Sequence, residues 1–179
     1  MSGAAAPADW PADIFHALKA ANIRIVSYVP DAGHAKLIRL CEADPEIRTV
    51  PLTTEEEGIG LAAGAWLGGE RAALLMQSSG VGNCINTLSL LESCRLPFLM
   101  LVTRRGEWAE FNPWQVPMGQ RAMAAVDLMG VTVYPLTEAA SAGETVAAAA
   151  RLAFDGGAPV AVFISQRLIG AKSFAEDAA

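Results

Sequence analysis

Charge is scarce in this 179-residue chain, cysteine scarcer, and long apolar runs are missing altogether. Only 18 % of the residues are charged against 53 % hydrophobic, which excludes the composition of a disordered polypeptide. The formal charge is −6 and no stretch of Lys and Arg forms a basic stripe, so a nucleic-acid partner is not expected. Cys41, Cys84 and Cys94 are odd in number and lack metal-ligand spacing, which points to reduced thiols, a cytoplasmic setting and no metal site on this chain. The longest strongly apolar run, Leu96–Val102, falls far short of the roughly 20 residues that cross a bilayer, so no membrane partner is expected. Met1–Asp9 is Ala-rich but has neither a basic n-region nor an apolar h-region, and does not read as a signal peptide. Residues 1–9 are expected as a disordered tail, 10–170 as a single domain and 171–179 as a second tail. Nucleotide motifs are absent too. There is no Gly-Lys-Ser/Thr, Ile85 stands where the third glycine of a dinucleotide fingerprint belongs, and the next strand ends in Leu101-Val102-Thr103 without an acid.

What is present alternates. Apolar strands are predicted at Ile23–Tyr28, Arg48–Pro51, Ala72–Met76, Pro97–Val102, Val131–Pro135 and Pro159–Ile164. Helices are predicted over Pro11–Ala21, His34–Ala43, the stretch after Thr54, the residues from Asn83 to about Glu92, Gln120–Met129, and an Ala-rich segment capped by Thr137 and stopped by Gly156-Gly157. Short apolar strands alternating with helices imply a three-layer α/β fold, an open parallel six-stranded sheet with helices on both faces. Ligands of such sheets bind beyond the carboxyl ends of the strands. The unusual residues gather there, at Pro30–His34, Glu55–Glu57, the predicted loop Gln77–Asn83, and Thr103–Arg105. A mean hydropathy of +0.32 is high for a soluble monomer and suggests apolar surface covered by another subunit.

Glu55-Glu56-Glu57 opens a run without further charge until Glu70, rich in Ala and Gly. A helix apolar all round belongs in a core or an interface, so at least one of these carboxylates is carried to the mouth of a buried place. Capping competes with function here: Thr53 with Glu56, or Thr54 with Glu57, has capping-box spacing. The Gln77–Asn83 glycines could hold an anion at a helix start or merely permit tight packing.

The phrase Glu56-x-Gly58, then Ala62-Ala63 and Trp66, resembles the pyrimidine-binding domain of thiamine-diphosphate enzymes. In that family the glutamate touches N1′ of the cofactor's aminopyrimidine. Glu56 is the preferred register. Keeping Leu61-Ala62-Ala63-Gly64 in step makes Glu55 the catalytic residue instead. Ser79-Gly80-Val81-Gly82 is similar to the family's Ser-Gly-Pro-Gly turn, with Val81 for proline and Asn83 following, and Val29-Pro30-Asp31 fits its opening loop. Met76–Asn83, Arg105-Gly106 and Gln115–Gly119 together resemble the alpha subunit of sulfopyruvate decarboxylases and the matching half of phosphonopyruvate decarboxylases, over about Ile23 to Ile164.

The resemblance implies a thiamine-diphosphate-dependent decarboxylase subunit that turns a 2-oxo acid into CO₂ and an aldehyde. Cofactor contacts are expected at Glu56, Pro30, Ser79, Gly80, Val81 and Asn83. The family's other half carries Gly-Asp-Gly and a later Asn for Mg²⁺; this sequence has no Gly-Asp-Gly, so Mg²⁺ and diphosphate ligands are expected on a beta subunit, in a hetero-oligomer with at least two copies of each chain. Arg104 and Arg105, with Gln115, are candidates for binding a small doubly anionic substrate; the arginines could equally pair with Glu107 or Glu110. His34 is a candidate proton carrier or a satisfied cap residue. Trp108, Phe111, Pro113 and Trp114 suit a lid or a subunit contact. The alternative reading from another class is a non-catalytic, flavodoxin-like binding or regulatory module.

Overall fold

The computed structural model describes residues 8–171; of the tails expected at 1–9 and 171–179, all but residues 8, 9 and 171 lie outside the described residues, and Asp9 belongs to the domain as the N-cap of the first helix. Strands β1 (Ile23–Tyr28), β2 (Arg48–Pro51), β3 (Arg71–Gln77), β4 (Phe98–Thr103), β5 (Thr132–Leu136) and β6 (Pro159–Ile164) form one sheet in the order β2-β1-β3-β4-β6-β5. Every pairing is parallel. Helices α1 (Trp10–Ala20), α2 (Ala35–Ala43), α3 (Glu55–Leu67), α4 (Ser78–Cys94), α5 (Val116–Leu128), α6 (Ala142–Phe154) and α7 (Gln166–Ile169) connect and cover it. The order departs from the 2-1-3-4-5 arrangement of flavodoxin-like sheets, because β6 inserts between β4 and β5.

The two-residue period of a strand divides the core. In β3, Ala73 and Leu75 face α1, α2 and α6, where Ile14, Leu37 and Val146 pack, while Leu74 and Met76 face α3, α4 and α5 and meet Ile59, Leu88 and Val126. Both faces are buried, which is why the strands read as continuous apolar runs. Each large aliphatic side chain so buried contributes about 1.5–3 kcal/mol.

Several element boundaries differ from expectation, and two bear on function. Gln77–Asn83 is not a loop. Gln77 is extended, at φ −94° and ψ 162°, and α4 begins at once with Ser78. Neither Gly80 nor Gly82 has positive φ, so neither makes a turn, and Gly80 serves close approach instead. Helix α5 starts at Val116 inside the expected long connection, with Pro117 in its first turn, where a missing N–H costs nothing. Elsewhere, Thr137 does not cap α6: a short 3₁₀ turn, Ala139–Ser141, intervenes and Ser141 precedes the helix. His34 ends a 3₁₀ turn, Ala32–His34, ahead of α2, and α7 was not expected at all.

The chain leaves β1, forms β2 on one side of it, then returns across to β3 on the other. Such a reversal opens a crevice between the carboxyl ends of β1 and β3. Helix α3, which makes that return, begins at the site edge with Glu55.

Candidate functional site

Successive helical residues point about 100° apart, so three adjacent glutamates cannot share one environment. Glu55 falls in line with Ile59, Ala62 and Ala63, the buried stripe of α3, and is itself buried. Glu56 falls in line with Gly60, Gly64 and Leu67, and all four are exposed. Glu57 turns back to Thr53, taking hydrogen bonds from its N–H at 3.0 Å and its hydroxyl at 2.7 Å. Those bonds hold the Glu57 carboxyl below its ordinary value. The capping role therefore belongs to Glu57, closing on Thr53 one residue beyond the box spacing, and Thr54 makes no side-chain cap.

The Glu55 carboxyl lies against the first turn of α4. A Cβ built on Gly80 would overlap Cδ, Cγ and Oε1 of Glu55, so only glycine permits this approach. Asn83, on the same face of α4, donates from Nδ2 to Glu55 Oε2 at 2.9 Å. Cys84 registers the same charge: burial first, then the Glu55 and Glu56 carboxylates, push its thiol up to about 12. The ends of α4 and α5 also converge. Ser78 is fully buried and its Oγ accepts the Arg105 N–H at 3.0 Å, while Met118 Sδ would sit 3.7 Å from a Cβ on Gly82. Gly106 has φ +72°, and a Cβ there would meet the Val116 Cα at 2.5 Å; a Cβ on Gly119 would overlap the Arg105 carbonyl. The Arg105-Gly106 step is thereby wedged between α4 and α5. Gln115, just before α5, buries its side-chain oxygen without a partner, and so does Gln77 at the end of β3.

The remaining candidates are placed differently. Val81 is fully buried and packs in the core between α4 and the sheet, while Ser79 stays half-buried. Pro30 is exposed and borders a separate concavity with Tyr28, Asp31, Arg39 and Glu42, on the α2 side. His34 is fully buried; its Nε2 meets the Leu101 carbonyl at 3.1 Å and its Nδ1 has no partner. Burial holds the imidazole below its ordinary value, opposed by the Asp31 carboxylate and the Leu101 and Met76 carbonyls. Asp31 in turn accepts from the Thr103 hydroxyl at 2.6 Å, lacing the β1 loop to the end of β4.

Both candidate substrate arginines are paired. Arg104 Nη1 lies 3.0 Å from Glu107, and Arg105 holds Glu110 through Nε and Nη2, both at 2.8 Å. Gln166, which sequence reasoning did not single out, clamps this loop: its Oε1 accepts the N–H groups of Glu107 and Trp108, and its Nε2 donates to Glu110. Its position directly after β6, on the site side, was the available signal. Arg105, Glu110 and Gln166 border a cavity of about 230 Å³ with Ala32, Gly33 and Phe111. Arg167 lies over the Trp108 ring, 5.2 Å from its centroid, and Trp114 stands 74 % exposed.

Known proteins are similar to this chain in sequence or in fold. The family described as "Thiamine pyrophosphate enzyme, N-terminal TPP binding domain" matches residues 11–120. The sulfopyruvate decarboxylase subunit alpha of Methanocaldococcus jannaschii is 40 % identical over 122 residues, 68 % of this chain and 72 % of that protein. The phosphonopyruvate decarboxylase of Streptomyces viridochromogenes is 38 % identical over 100 residues, 55 % of this chain but 25 % of that longer one. Among solved structures, a 2-oxoglutarate:ferredoxin oxidoreductase from Magnetococcus marinus superposes with a TM-score of 0.70 at 14 % identity, covering 94 % of this chain and 31 % of its own, which shows a common fold.

Proposed function

Because the chain belongs to the family of thiamine pyrophosphate enzyme N-terminal TPP binding domains, we propose that it is the pyrimidine-binding alpha subunit of a heteromeric, cytoplasmic 2-oxo acid decarboxylase acting on sulfopyruvate or phosphonopyruvate and releasing CO₂ and the corresponding aldehyde. The observation that carries the reading is the Glu55 carboxyl set against Gly80 and bonded by Asn83. A buried carboxylate at a strand-end crevice, approached only by bare backbone on one side, fits an aminopyrimidine that must be hydrogen-bonded at a ring nitrogen. Glu55 is therefore the proposed catalytic carboxylate, in place of Glu56. When bound, thiamine diphosphate supplies the electron sink for the departing carboxyl group. The chain's own part is to hold a proton at a Glu55 oxygen and keep backbone close through Gly80.

Gln115 keeps its proposed substrate role, since a donor arriving at its unpartnered oxygen would satisfy a buried acceptor. His34, sealed in the core beneath Asp31 and Thr103, is assigned to holding the β1 loop and not to moving a proton. Val81 is assigned to the core, and Arg104 and Arg105 to shaping their own loop through Glu107 and Glu110. Mg²⁺ and the diphosphate fall to a beta subunit, a reading supported by the absence of Gly-Asp-Gly from this sequence and by the "subunit alpha" description of the relative. Among the described residues no helix is long and apolar enough to cross a membrane.

The test is reconstitution. Co-expression with a Gly-Asp-Gly-bearing partner should give a complex that holds thiamine diphosphate and Mg²⁺ and decarboxylates sulfopyruvate or phosphonopyruvate, whereas this chain alone should not. Full decarboxylase activity in the isolated 179-residue chain would overturn the heteromeric reading.

A further inference from the structure

We propose that Asn83 is a positioning residue for Glu55, its side-chain amide fixing the rotation of that carboxylate so that one chosen oxygen is spent and the other is left for the cofactor. This rests on the reading of Glu55 as the catalytic carboxylate. The geometry behind it is a cradle with two parts on one face of α4. Gly80 and Asn83 are three residues apart and therefore neighbours on the helix surface. At Gly80 the face is bare and sets how deep the carboxyl can lie, because any Cβ would occupy the same space. At Asn83 it presents a donor, Nδ2, 2.9 Å from Oε2. Oε2 accepts in this bond, so the amide turns its nitrogen to Glu55. That bond selects one of the two nearly equivalent orientations of the carboxyl group about its last torsion, which is otherwise soft. Oε2 is engaged by Asn83, and Oε1 is the oxygen lying beside the Gly80 backbone.

The arrangement separates Asn83 from a residue that merely touches bound cofactor. A cofactor contact acts only when cofactor is present; a positioning residue acts on Glu55 in its absence. The other titratable groups around this carboxyl are Cys84 on α4, whose thiol is pushed up to about 12 by burial and then by Glu55 and Glu56, and the exposed Glu56 on α3 itself. Asn83 is exposed on a helix, so replacing it leaves the core untouched, and alanine there favours the helix.

The experiment is a carbon-13 NMR titration of glutamate carboxyls in the full chain without cofactor, with Glu55→Gln assigning the Glu55 signal. Asn83→Asp should raise the Glu55 midpoint by at least about one pH unit over wild type, because two carboxyls at hydrogen-bonding distance share a proton and titrate as a pair. Asn83→Ala should raise it less, since only a donor to the charged form is lost. In the reconstituted complex, Asn83→Asp should move the limb of the kcat/KM profile governed by Glu55 to higher pH by the same amount, with cofactor affinity within about threefold of wild type. A Glu55 midpoint that is the same in wild type, Asn83→Asp and Asn83→Ala would overturn the role of Asn83 even where Glu55→Gln is inactive. Full activity in Glu55→Gln would instead overturn the catalytic reading, and with it the functional meaning of the cradle.

Discussion

The guanidinium of Arg105 grips the Glu110 carboxylate through two parallel bonds, Nε to Oε2 and Nη2 to Oε1, each 2.8 Å long. The same carboxylate accepts the N–H groups of Gly106 at 3.2 Å and Asn112 at 3.0 Å, and the Gln166 amide at 2.9 Å. A guanidinium held bidentately in a buried site is not a free cation awaiting a sulfonate or phosphonate. Glu110 makes Arg105 a structural post for the segment between β4 and α5.

Removing one member of a buried, well-bonded pair leaves the other charge uncompensated, at about 3–5 kcal/mol. Arg105→Ala should lose stability on that scale in urea denaturation. Arg104→Ala breaks a single bond between side chains 19 % and 20 % exposed and should lose about 1 kcal/mol or less. In the reconstituted complex, neither variant should discriminate: kcat/KM losses on sulfopyruvate and on pyruvate should agree within about threefold. A loss confined to the doubly anionic substrate would restore the arginines to substrate recognition.

Glu110 also sets an acid limit. Burial raises its affinity for a proton, but the bonds from Arg105, Asn112, Gly106 and Gln166 outweigh that and hold the carboxyl down at about 2. In the unfolded chain it titrates near 4.3. The unfolded state therefore takes up this proton first as pH falls, and the associated stability, present in full above about 4.3, drains away toward about 2. Its full extent is on the order of 3 kcal/mol. Denaturation curves at closely spaced pH values should show the decline in wild type, and Glu110→Gln should flatten it while being less stable at neutral pH.

His34 acts in a higher window. Burial depresses its affinity for a proton, so the folded chain keeps it neutral where the unfolded chain, with a value near 6.5, becomes charged. Stability should thus fall as pH drops below about 6.5, with a slope approaching 1.4 kcal/mol per pH unit. His34→Gln should remove that slope. A slope that survives His34→Gln would show that some other group titrates.

Sheet, layers and strand ends were legible in the sequence, because a parallel strand buried on both faces has to be apolar throughout, as Leu74-Leu75-Met76 and Leu99–Val102 are. The Gln77–Asn83 helix start was less so. Glycine and serine read as a turn by habit, yet Gly80 is there because Glu55 occupies the place of its side chain, a constraint from 25 residues upstream that no local window contains. The Gln166 clamp was invisible for the same reason, joining residues more than 50 positions apart. The glutamates were a different case. Counting back from Ala62-Ala63 by the helical period puts Glu55, not Glu56, on the buried stripe, so the phase was readable, whereas matching Glu-x-Gly spacing to the family phrase favoured Glu56.

That phase leads to the decisive substitution. Glu55→Gln preserves volume and can still accept at its amide oxygen, but the group can no longer give or take the proton of a carboxylic acid. It should leave folding and assembly intact and lower kcat by roughly 10²–10⁴, the usual range for a positioned proton-transfer group. Glu56→Gln, on the exposed face with Gly60 and Gly64, should stay within about threefold of wild type unless the partner covers that face, in which case the change should appear in subunit affinity and not in kcat. Glu57→Gln should weaken only the Thr53 closure and act on helix stability. Steady-state kinetics of the three variants with a saturating partner subunit would rank them. A deficit in kcat that follows Glu56 while Glu55→Gln works normally would mean that the family spacing, and not the helical phase, identifies the catalytic carboxylate.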